Sequence, residues 1–392
     1  MRIFLIIALL AIGVPMFSQS VSIQGKLVDA TNNEPVIAAS IGVRNHFAGT
    51  ITNDEGVFQL NAPKDSDIGI TCIGYKDIVL PISKFTSEIT VIKLERSEEM
   101  LEEIIVSTIP MKDLIKLVIE TSQKRFNKPI QLDTYYREFV KQNGAYTKFS
   151  DGLLEYHLDG STKNTTSDLI VSQSRAFQIA KPADEEFDFD SVIGTEKAVE
   201  KYYDLKFLKS IASDQKKYDF VLKRFMSEGK EMLKIVWTPK EDADEMLTTG
   251  SVTYDPETKL IFAFDAHVDE KHKPLAKTMN ILLFRIEIQD IDLDVKYKMS
   301  GTNYLLSYNK RYAKMRVWKK NKWNYVLESK TDLLVTNFSK DDKTYDKKAV
   351  NKERGLYQSG SKYTFPFWKQ SNAIVLTSAE EKIVADLEKS GD

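Results

Sequence analysis

Two histidines flank an acidic pair in the segment His267–His272, whose sequence is HVDEKH. Neutral imidazole and carboxylate groups both bind zinc, so this segment is a candidate metal clip. Its spacing matches neither the helical motif of zinc proteases nor a structural zinc finger. The spacing therefore favours a solvated end of a β-hairpin, and no metal is assigned to it.

Three aspartates alternate with apolar residues at Asp290, Asp292 and Asp294. In a strand this alternation places all three carboxylates on one face, an oxygen cluster of the kind that calcium prefers. The glycine and terminal glutamate of a helix-loop-helix calcium site are absent, so a hydrated sheet face is the favoured interpretation. The acidic stretches Asp184–Asp190 and Glu241–Glu245 are interpreted as surface loops.

Motifs for other chemistry are missing from the sequence. It contains no Gly-x-Ser-x-Gly elbow, phosphate-binding loop, dinucleotide fingerprint or paired Cys and His. The 57 acidic residues offer too many carboxylate pairs to rank for glycoside cleavage. The sequence therefore assigns no catalytic, cofactor-binding or metal residue, and it favours a protein that is not an enzyme.

Lysine and arginine concentrate at Lys310-Arg311 and along Lys314–Lys322, with Trp318 and Trp323 nearby. Charge and stacking of this kind can bind single-stranded nucleic acid. The net charge of the chain is −2, however, with 55 basic and 57 acidic residues, so no global field favours an anionic polymer. Lysines on the outward face of strands are the favoured interpretation, and no nucleic-acid partner is expected.

The N-terminus has the three parts of a secretory signal peptide. A basic start is followed by an apolar run from Ile3 to Val14 and then by small or polar residues up to Ser20. We expect residues 1–20 to be removed on export, with no integral membrane span remaining and a location in the periplasm or at the outer membrane. Cys72 is the only cysteine, which excludes intramolecular disulfides, and its apolar surroundings predict a small buried hydrophobe.

Short alternating segments separated by turn residues fill residues 21 to about 95. The clearest is the segment Gly49–Leu60, which predicts two strands meeting in a hairpin at the turn Asp54–Gly56. About seven such strands with no helical period between them predict an antiparallel β-sandwich. The strand-like residues Ile104–Val106 are expected to form its last strand.

These segments carry a recognisable set of residues, spread over about a fifth of the chain. The set comprises Gly25, Asp29, Pro35, Ala38, Gly49, Thr50, Thr52, Asp54, Glu55, Gly56, Phe58, Ile73, Gly74 and Tyr75. It resembles the carboxypeptidase regulatory-like domain, a transthyretin-like β-sandwich found in envelope proteins of Gram-negative, Bacteroidota-type cells. The resemblance implies a seven-stranded sandwich at residues 21–106 that is not itself catalytic, with structural roles for these residues.

Residues 107–131 are predicted to form a connector with one amphipathic helix. Apolar residues recur at helical spacing from Met111 to Ile119, with Pro110 at the start and Lys124 and Arg125 at the end, where positive charge suits the helix dipole.

The remaining residues, 132–392, predict a β-rich α+β domain of unknown function. A hairpin is expected around Asn143-Gly144, a long loop at 160–192 and a helix over Lys197–Ser210. Strands are predicted at 218–224, 232–238, 247–254, 260–268, 281–288, 293–299, 304–318 and 323–336, joined in a meander. Their order resembles the curved antiparallel sheet of the half-barrel lipoprotein carriers of the periplasm. The ending Pro366–Leu376 resembles uncharacterised envelope proteins.

Three functions stay open on this sequence. The first is a non-enzymatic, exported envelope protein whose sandwich docks or supports, and whose sheet binds an apolar or carbohydrate ligand or a protein partner. The second is a periplasmic carrier of lipid-linked cargo. The third is a hydrolase acting on envelope polymers, since regulatory-like domains often accompany peptidases.

Overall fold

The structure, a computed structural model, describes residues 20–44, 47, 49–72, 74–97, 103–179, 194–227, 229–281, 284–341, 343–363 and 367–391. Residues 1–19 of the predicted signal peptide, His46, Ile73 and the acidic stretch Asp184–Asp190 lie outside these residues. The chain is mainly β, as predicted.

The N-terminal part is a two-layer sandwich of a three-stranded and a four-stranded sheet. Alternation builds its core: in the strand Val57–Pro63, Phe58, Leu60 and Ala62 point inward and are buried, while the residues between them face outward. The strands are β1 (Ser20–Asp29), β2 (Ser40–Val43), β3 (Gly49–Ile51), β4 (Val57–Pro63), β5 (Asp67–Thr71), β6 (Ile78–Pro81) and β7 (Thr90–Leu94). The seven-strand sandwich prediction is confirmed.

Two details of the sandwich differ from the sequence prediction. Strands β3 and β4 are not a hairpin, because β3 pairs with β2 in one sheet and β4 pairs with β1 in the other. The turn Asp54–Gly56 therefore carries the chain from one layer to the other. In addition, β7 runs parallel to β1, so one pair of the sandwich is not antiparallel. Local turn chemistry specifies a sharp change of direction, but the pairing partner depends on distant strands.

A short strand and one helix lead out of the sandwich. Strand β8 (Glu103–Ile105) was expected to be the last sandwich strand. It instead pairs with a strand of the twelve-stranded sheet that follows the sandwich. Helix α1 (Met111–Arg125) confirms the predicted amphipathic helix, and Leu114, Ile115 and Val118 on its apolar face are buried in the core beyond it.

The rest of the chain forms a third sheet of twelve strands, which is open and which we call the large sheet. Apart from β8, its strands are β9 (Ile130–Gln142), β10 (Ala145–Gly160), β11 (Thr165–Gln178), β12 (Tyr218–Ser227), β13 (Lys230–Pro239), β14 (Thr248–Tyr254), β15 (Ile261–Val268), β16 (Thr278–Ile281), β17 (Phe284–Ser300), β18 (Asn303–Lys319) and β19 (Trp323–Lys340). The order is β11-β10-β9-β19-β18-β17-β15-β14-β13-β12-β8, with β16 added to β17. Neighbouring strands in this order are antiparallel.

The described residues contain four further α-helices. They are α2 (Glu200–Tyr203), α3 (Lys206–Ser213), α4 (Phe367–Gln370) and α5 (Ser378–Gly391). Helices α1, α2 and α3 pack on one face of the large sheet, which we call the inner face, and form its main hydrophobic core. The opposite face, the outer face, meets the sandwich and the C-terminal segment through a second cluster that includes Ile51, Tyr135, Tyr308 and Phe367.

Three element predictions in this part are corrected. The expected loop at 160–192 contains strand β11, which is an edge strand and therefore shows a weaker apolar alternation. Segments 281–288 and 293–299 belong mainly to one long strand, β17. The expected helix over 197–210 is divided into α2 and α3 by Leu205, whose φ of 48° lies in the left-handed region. The predicted hairpin at Asn143-Gly144 is confirmed between β9 and β10.

Candidate functional site

The turn Asp54–Gly56 docks the sandwich on the outer face of the large sheet. Lys310 Nζ lies 3.1 Å from Asp54 Oδ1, and Lys330 Nζ lies 2.9 Å from Asp54 Oδ2. The neighbouring Asn53 side chain donates to the Val375 carbonyl at 3.2 Å, so the C-terminal segment holds the same turn. The sequence predicted that Lys310 lies on a solvated strand face. It instead forms part of the contact between the sandwich and the large sheet.

Below this turn runs a line of charged residues, which we call the charged row. Each member lies directly opposite the next across neighbouring strands from β15 to β11. In order, the members are Asp265, Asp294, Lys310, Asp332, Arg137, Asp151 and Arg175. After the initial pair of aspartates the signs alternate, which is the arrangement that favours cross-strand pairing.

Arg137 is the centre of the charged row and is buried, with an exposed fraction of 2%. Its Nε lies 2.8 Å from Asp332 Oδ2, and its Nη1 lies 3.1 Å from Glu380 Oε2. Burial opposes ionisation of Asp332, but Arg137 outweighs it and keeps the pKa of that carboxyl below its usual value. Glu380 also accepts from the Thr377 backbone amide at 2.9 Å, so the first turn of α5 is fixed to this ion network.

The Asp54 contact predicts a pH dependence of stability. Burial alone would raise the pKa of Asp54, but Lys310 and Lys330 outweigh it and lower the pKa from 3.8 to about 2. Because the folded pKa lies below the unfolded value, the contact stabilises the protein above about pH 4, and this stabilisation disappears as the pH falls towards about 2. We expect Asp54→Asn to reduce the free energy of unfolding at pH 6 by roughly 1 kcal/mol, after allowance for solvent screening.

The measurement is thermal unfolding of both proteins between pH 2 and pH 6. The difference between the wild type and Asp54→Asn should shrink as the pH falls through that window. Asp65→Asn, which changes an exposed sandwich carboxylate, is the control. A difference that stays constant with pH would show that the ion pairs contribute nothing to docking.

A cleft of about 920 Å³ lies where the sandwich, the C-terminal end of α1 and the strands β12–β18 meet. This volume is within the range of roughly 300–1,000 Å³ that is typical of small-molecule sites. Its lining combines apolar side chains with five basic ones. The apolar group includes Phe225, Met232, Leu260, Phe262, Tyr297 and Met299, and the basic group is Lys124, Arg125, Lys230, Lys296 and Lys298.

The charge of the cleft lining is strongly positive. Among the residues that the structure describes, Asp255 is the one acidic residue that lines it. Its Oδ1 already accepts hydrogen bonds from the backbone amides of Glu257 and Thr258 at 2.7 and 3.2 Å. These two hydrogen bonds within its own turn partly compensate the negative charge of Asp255. An anionic group in the cleft would meet a net excess of ammonium and guanidinium groups.

Lys298 is the most distinctive of these cations. Its Nζ lies 3.5 Å from the centroid of the Phe47 ring and 3.5 Å from the Phe47 carbonyl oxygen. Burial lowers the pKa of Lys298 to about 8, so the group is still mostly protonated at neutral pH. Phe47 belongs to the sandwich and Lys298 to β17, so this contact joins the two parts beside the cleft.

The histidines of the sequence analysis do not converge. His272 makes both of its ring contacts locally, with Asp269 Oδ2 at 2.7 Å and with the Lys240 carbonyl at 3.1 Å. His267 instead lies opposite Asp292 in the pairing of β15 with β17. Among the residues that the structure describes, no group of three or more His, Cys, Asp or Glu side chains is placed to hold a metal ion.

The predicted carboxylate face of β17 has a different environment from the one expected. Asp294 stands opposite Asp265 on one side and Lys310 on the other, so it belongs to the charged row. Burial is the main cause that raises the pKa of Asp265 and of Asp292. Cys72 is half-buried against the sandwich core, and burial raises the pKa of its thiol, which disfavours the reactive thiolate.

Sequence reasoning missed both the cleft and the charged row. The cleft residues are scattered from Ser40 to Ser307, and the row members come from two groups of strands, β9–β11 and β15–β19, that are far apart in sequence. One signal was available: Arg137, Asp151, Arg175 and Asp332 are charges within otherwise apolar or alternating strand segments. Such charges are expected to be paired when the strand is buried on both faces.

Comparison with known proteins identifies the sandwich. The sequence model of the CarboxypepD_reg-like domain matches residues 23–106. The chain is also 34% identical over 104 residues to the TonB-dependent receptor SusC of Bacteroides thetaiotaomicron. That match covers 26% of this chain and spans only 10% of the receptor's length.

Solved structures offer weaker likenesses. A DUF1329 family protein from Desulfovibrio piger is 11% identical, with 62% of this chain and 100% of that chain covered and a TM-score of 0.30. Lipovitellin is 13% identical, with 64% and 29% covered and a TM-score of 0.24. Both scores are below 0.5, so nothing is transferred from these proteins.

No helix within the described ranges has the length and apolar character needed to cross a bilayer. The fold and the sequence similarities agree on the N-terminal part, where the motif residues that the structure describes lie in the strands and connections of a seven-stranded sandwich. Residues 23–106 are therefore a CarboxypepD_reg-like domain, in a chain of which 104 residues are similar to an envelope receptor of a Bacteroides species.

Proposed function

We propose that this protein is a non-enzymatic envelope protein that binds an anionic amphiphile in the cleft between its sandwich and its large sheet. The observation that carries this proposal is the lining of the cleft, which combines five basic side chains with an apolar and aromatic floor. A ligand with an anionic head and an apolar body satisfies both parts of this lining at once. The carrier of lipid-linked cargo falls within this proposal.

The sandwich has a supporting role in the proposal. Ser40 and Thr71 from its four-stranded sheet line the cleft, and Lys296 donates to the Ala38 carbonyl at 3.1 Å. The sandwich thus completes one wall, while Asp54 fixes its position on the sheet. The signal-like pattern of residues 1–20 and the Bacteroidota similarity support an exported location, in the periplasm or against the outer membrane.

The test uses the anionic fluorescent probe 1-anilinonaphthalene-8-sulfonate with the purified protein. We expect the probe to bind and to be displaced by lysophosphatidylglycerol more readily than by zwitterionic lysophosphatidylcholine, because only the former has a net negative head. Replacing both Lys230 and Lys298 with glutamine should weaken lysophosphatidylglycerol binding at least about 10-fold, since a charge-assisted contact contributes on the order of 1.5–3 kcal/mol.

The matched control is Lys216→Gln, which removes an exposed lysine outside the cleft. It should leave the affinity unchanged. Equal affinity for the two lysolipids, or an undiminished affinity in the double variant, would contradict the proposed function.

A further inference from the structure

A second group of cations lies on the inner face of the large sheet, away from the charged row. Arg311 stands directly opposite Leu293 and Thr331 in the sheet, and Leu293 belongs to the inner hydrophobic core. Directly opposite residues share a face, so the Arg311 side chain lies on the inner side. Lys310 and its partner Asp294, one position along, lie on the outer side.

Helix α2 brings a second cation and a phenol to the same place. Lys201 Nζ lies 5.1 Å from the centroid of the Tyr202 ring. Tyr202 packs in the inner core with an exposed fraction of only 4%, and its hydroxyl has no hydrogen-bond partner among the described residues. The Tyr136 hydroxyl, which is also buried, lies beside the Thr195 side chain. The Arg311 charge acts on all three of these side chains.

Neither cation is paired within the ranges that the structure describes, where Arg311 and Lys201 make no ion pair with a carboxylate and no hydrogen bond. The buried carboxylate of Glu138 lies two strands from Arg311 in the same row, opposite Thr331, and accepts from Ser329 Oγ at 3.1 Å. Burial, and next the Arg311 guanidinium, lower the pKa of Lys201 to about 7. Two partly buried cations beside an unpaired hydroxyl are unfavourable unless an anion joins them.

We infer that Arg311, Lys201 and the Tyr202 hydroxyl form a binding site for a phosphate-type oxyanion on the inner face of the large sheet. Arginine offers a planar fork of donors that matches two phosphate oxygens, while lysine supplies a point charge. The Tyr202 hydroxyl supplies a further donor for a remaining oxygen. Both cations are half-buried, so the site is open to solvent. The phosphate is either free inorganic phosphate or the head of a phosphomonoester.

The test measures amine acylation of Lys201 by peptide mass spectrometry at pH 7.5 on the whole protein. The negative charge of bound phosphate would favour the protonated, unreactive form of the amine, and the phosphate would also cover it. We therefore expect inorganic phosphate to slow its acylation at least fivefold relative to chloride at equal ionic strength. The exposed Lys216 in the same sample should react equally in both salts. Octyl phosphate forms the second arm: protection at a concentration at least tenfold lower identifies a phosphomonoester head, and equal potency identifies free phosphate.

Two variants separate the site from general effects. Arg311→Gln should abolish the protection of Lys201, and Tyr202→Phe, which removes only a hydroxyl and keeps the packing, should weaken it severalfold. Arg316→Gln, in the same strand but bonded to Asn324, is the matched control and should keep full protection. Equal acylation in phosphate and chloride, or protection that survives in both variants, would overturn the inference. The cleft variants at Lys230 and Lys298 should not change this protection, so the two proposals fail separately.

Discussion

Replacing Arg137 with methionine is expected to destabilise the protein by about 3–5 kcal/mol. The substitution keeps most of the apolar stem but removes the charge that neutralises Asp332 and Glu380, both of which are buried. Asp332 would retain the Tyr308 hydroxyl but lose its ion pair, and Glu380 would retain only Lys330 as a cationic partner. Removing one partner of a buried ion pair is among the most costly changes that a core can undergo. Urea unfolding followed by both tryptophan fluorescence and circular dichroism would measure the loss.

Arg224→Met is the control for this experiment. Arg224 pairs with Glu103, but the side chains of both residues are largely exposed, so the change should reduce the free energy of unfolding by less than about 1 kcal/mol. A loss below about 1.5 kcal/mol for Arg137→Met would mean that water or neighbouring groups compensate the two carboxylates, and the charged row would then not be a main determinant of stability.

Replacing Gly56 with alanine is expected to destabilise the sandwich by about 2–4 kcal/mol, which combines backbone strain with a steric clash. Gly56 has a φ of 75°, a conformation that side chains with a Cβ rarely adopt. An added Cβ would also lie 2.4 Å from the Leu27 carbonyl oxygen, so the turn or β1 would have to move. The same turn carries Asp54, so we also expect weaker docking, measured as faster limited proteolysis between the sandwich and α1.

Gly144→Ala separates the two contributions. Gly144 has a φ of 85°, but an added Cβ would meet no atom within 4 Å. It should therefore cost only the conformational penalty, about 1 kcal/mol. Equal effects of the two substitutions on the melting temperature would show that the contact with Leu27 relaxes without cost and that the turn is not tightly held.

Local patterns predicted the elements of this protein better than their partners. The alternation around Phe58 and the helical spacing from Leu114 to Ile119 depend on burial of one face, which the sequence records directly. The pairing of β7 with β1, and the separation of β3 from β4 into different layers, depend on chain segments far apart. Edge strand β11 was missed because its outer edge meets only isolated bridges from the C-terminal segment, at Val350 and Lys362, and these do not impose a regular apolar pattern on its sequence.

The candidate sites could not be predicted for a related reason. The cleft and the Arg311 cluster consist of ordinary lysine, arginine and tyrosine residues at positions that no motif links. What makes them a site is that cations outnumber the carboxylates around them, and that is a property of the folded arrangement. The histidine and aspartate segments were candidate metal sites because such residues bind metals in many proteins. Here they instead contact residues of their own turns and of neighbouring strands.

Strand β8 has a practical consequence for anyone who wishes to excise the CarboxypepD_reg-like domain. The similarity extends to residue 106, but Glu103–Ile105 forms hydrogen bonds with β12, not with the sandwich. A fragment ending at residue 106 would include the outermost strand of the large sheet without its pairing partner. Ile104 and Val106 are 70% and 94% exposed even in the intact chain, so they would form an apolar, aggregation-prone C-terminus. A fragment ending near Ser97 keeps all seven sandwich strands, so the unit that similarity recognises and the unit suited to transplantation differ by one strand.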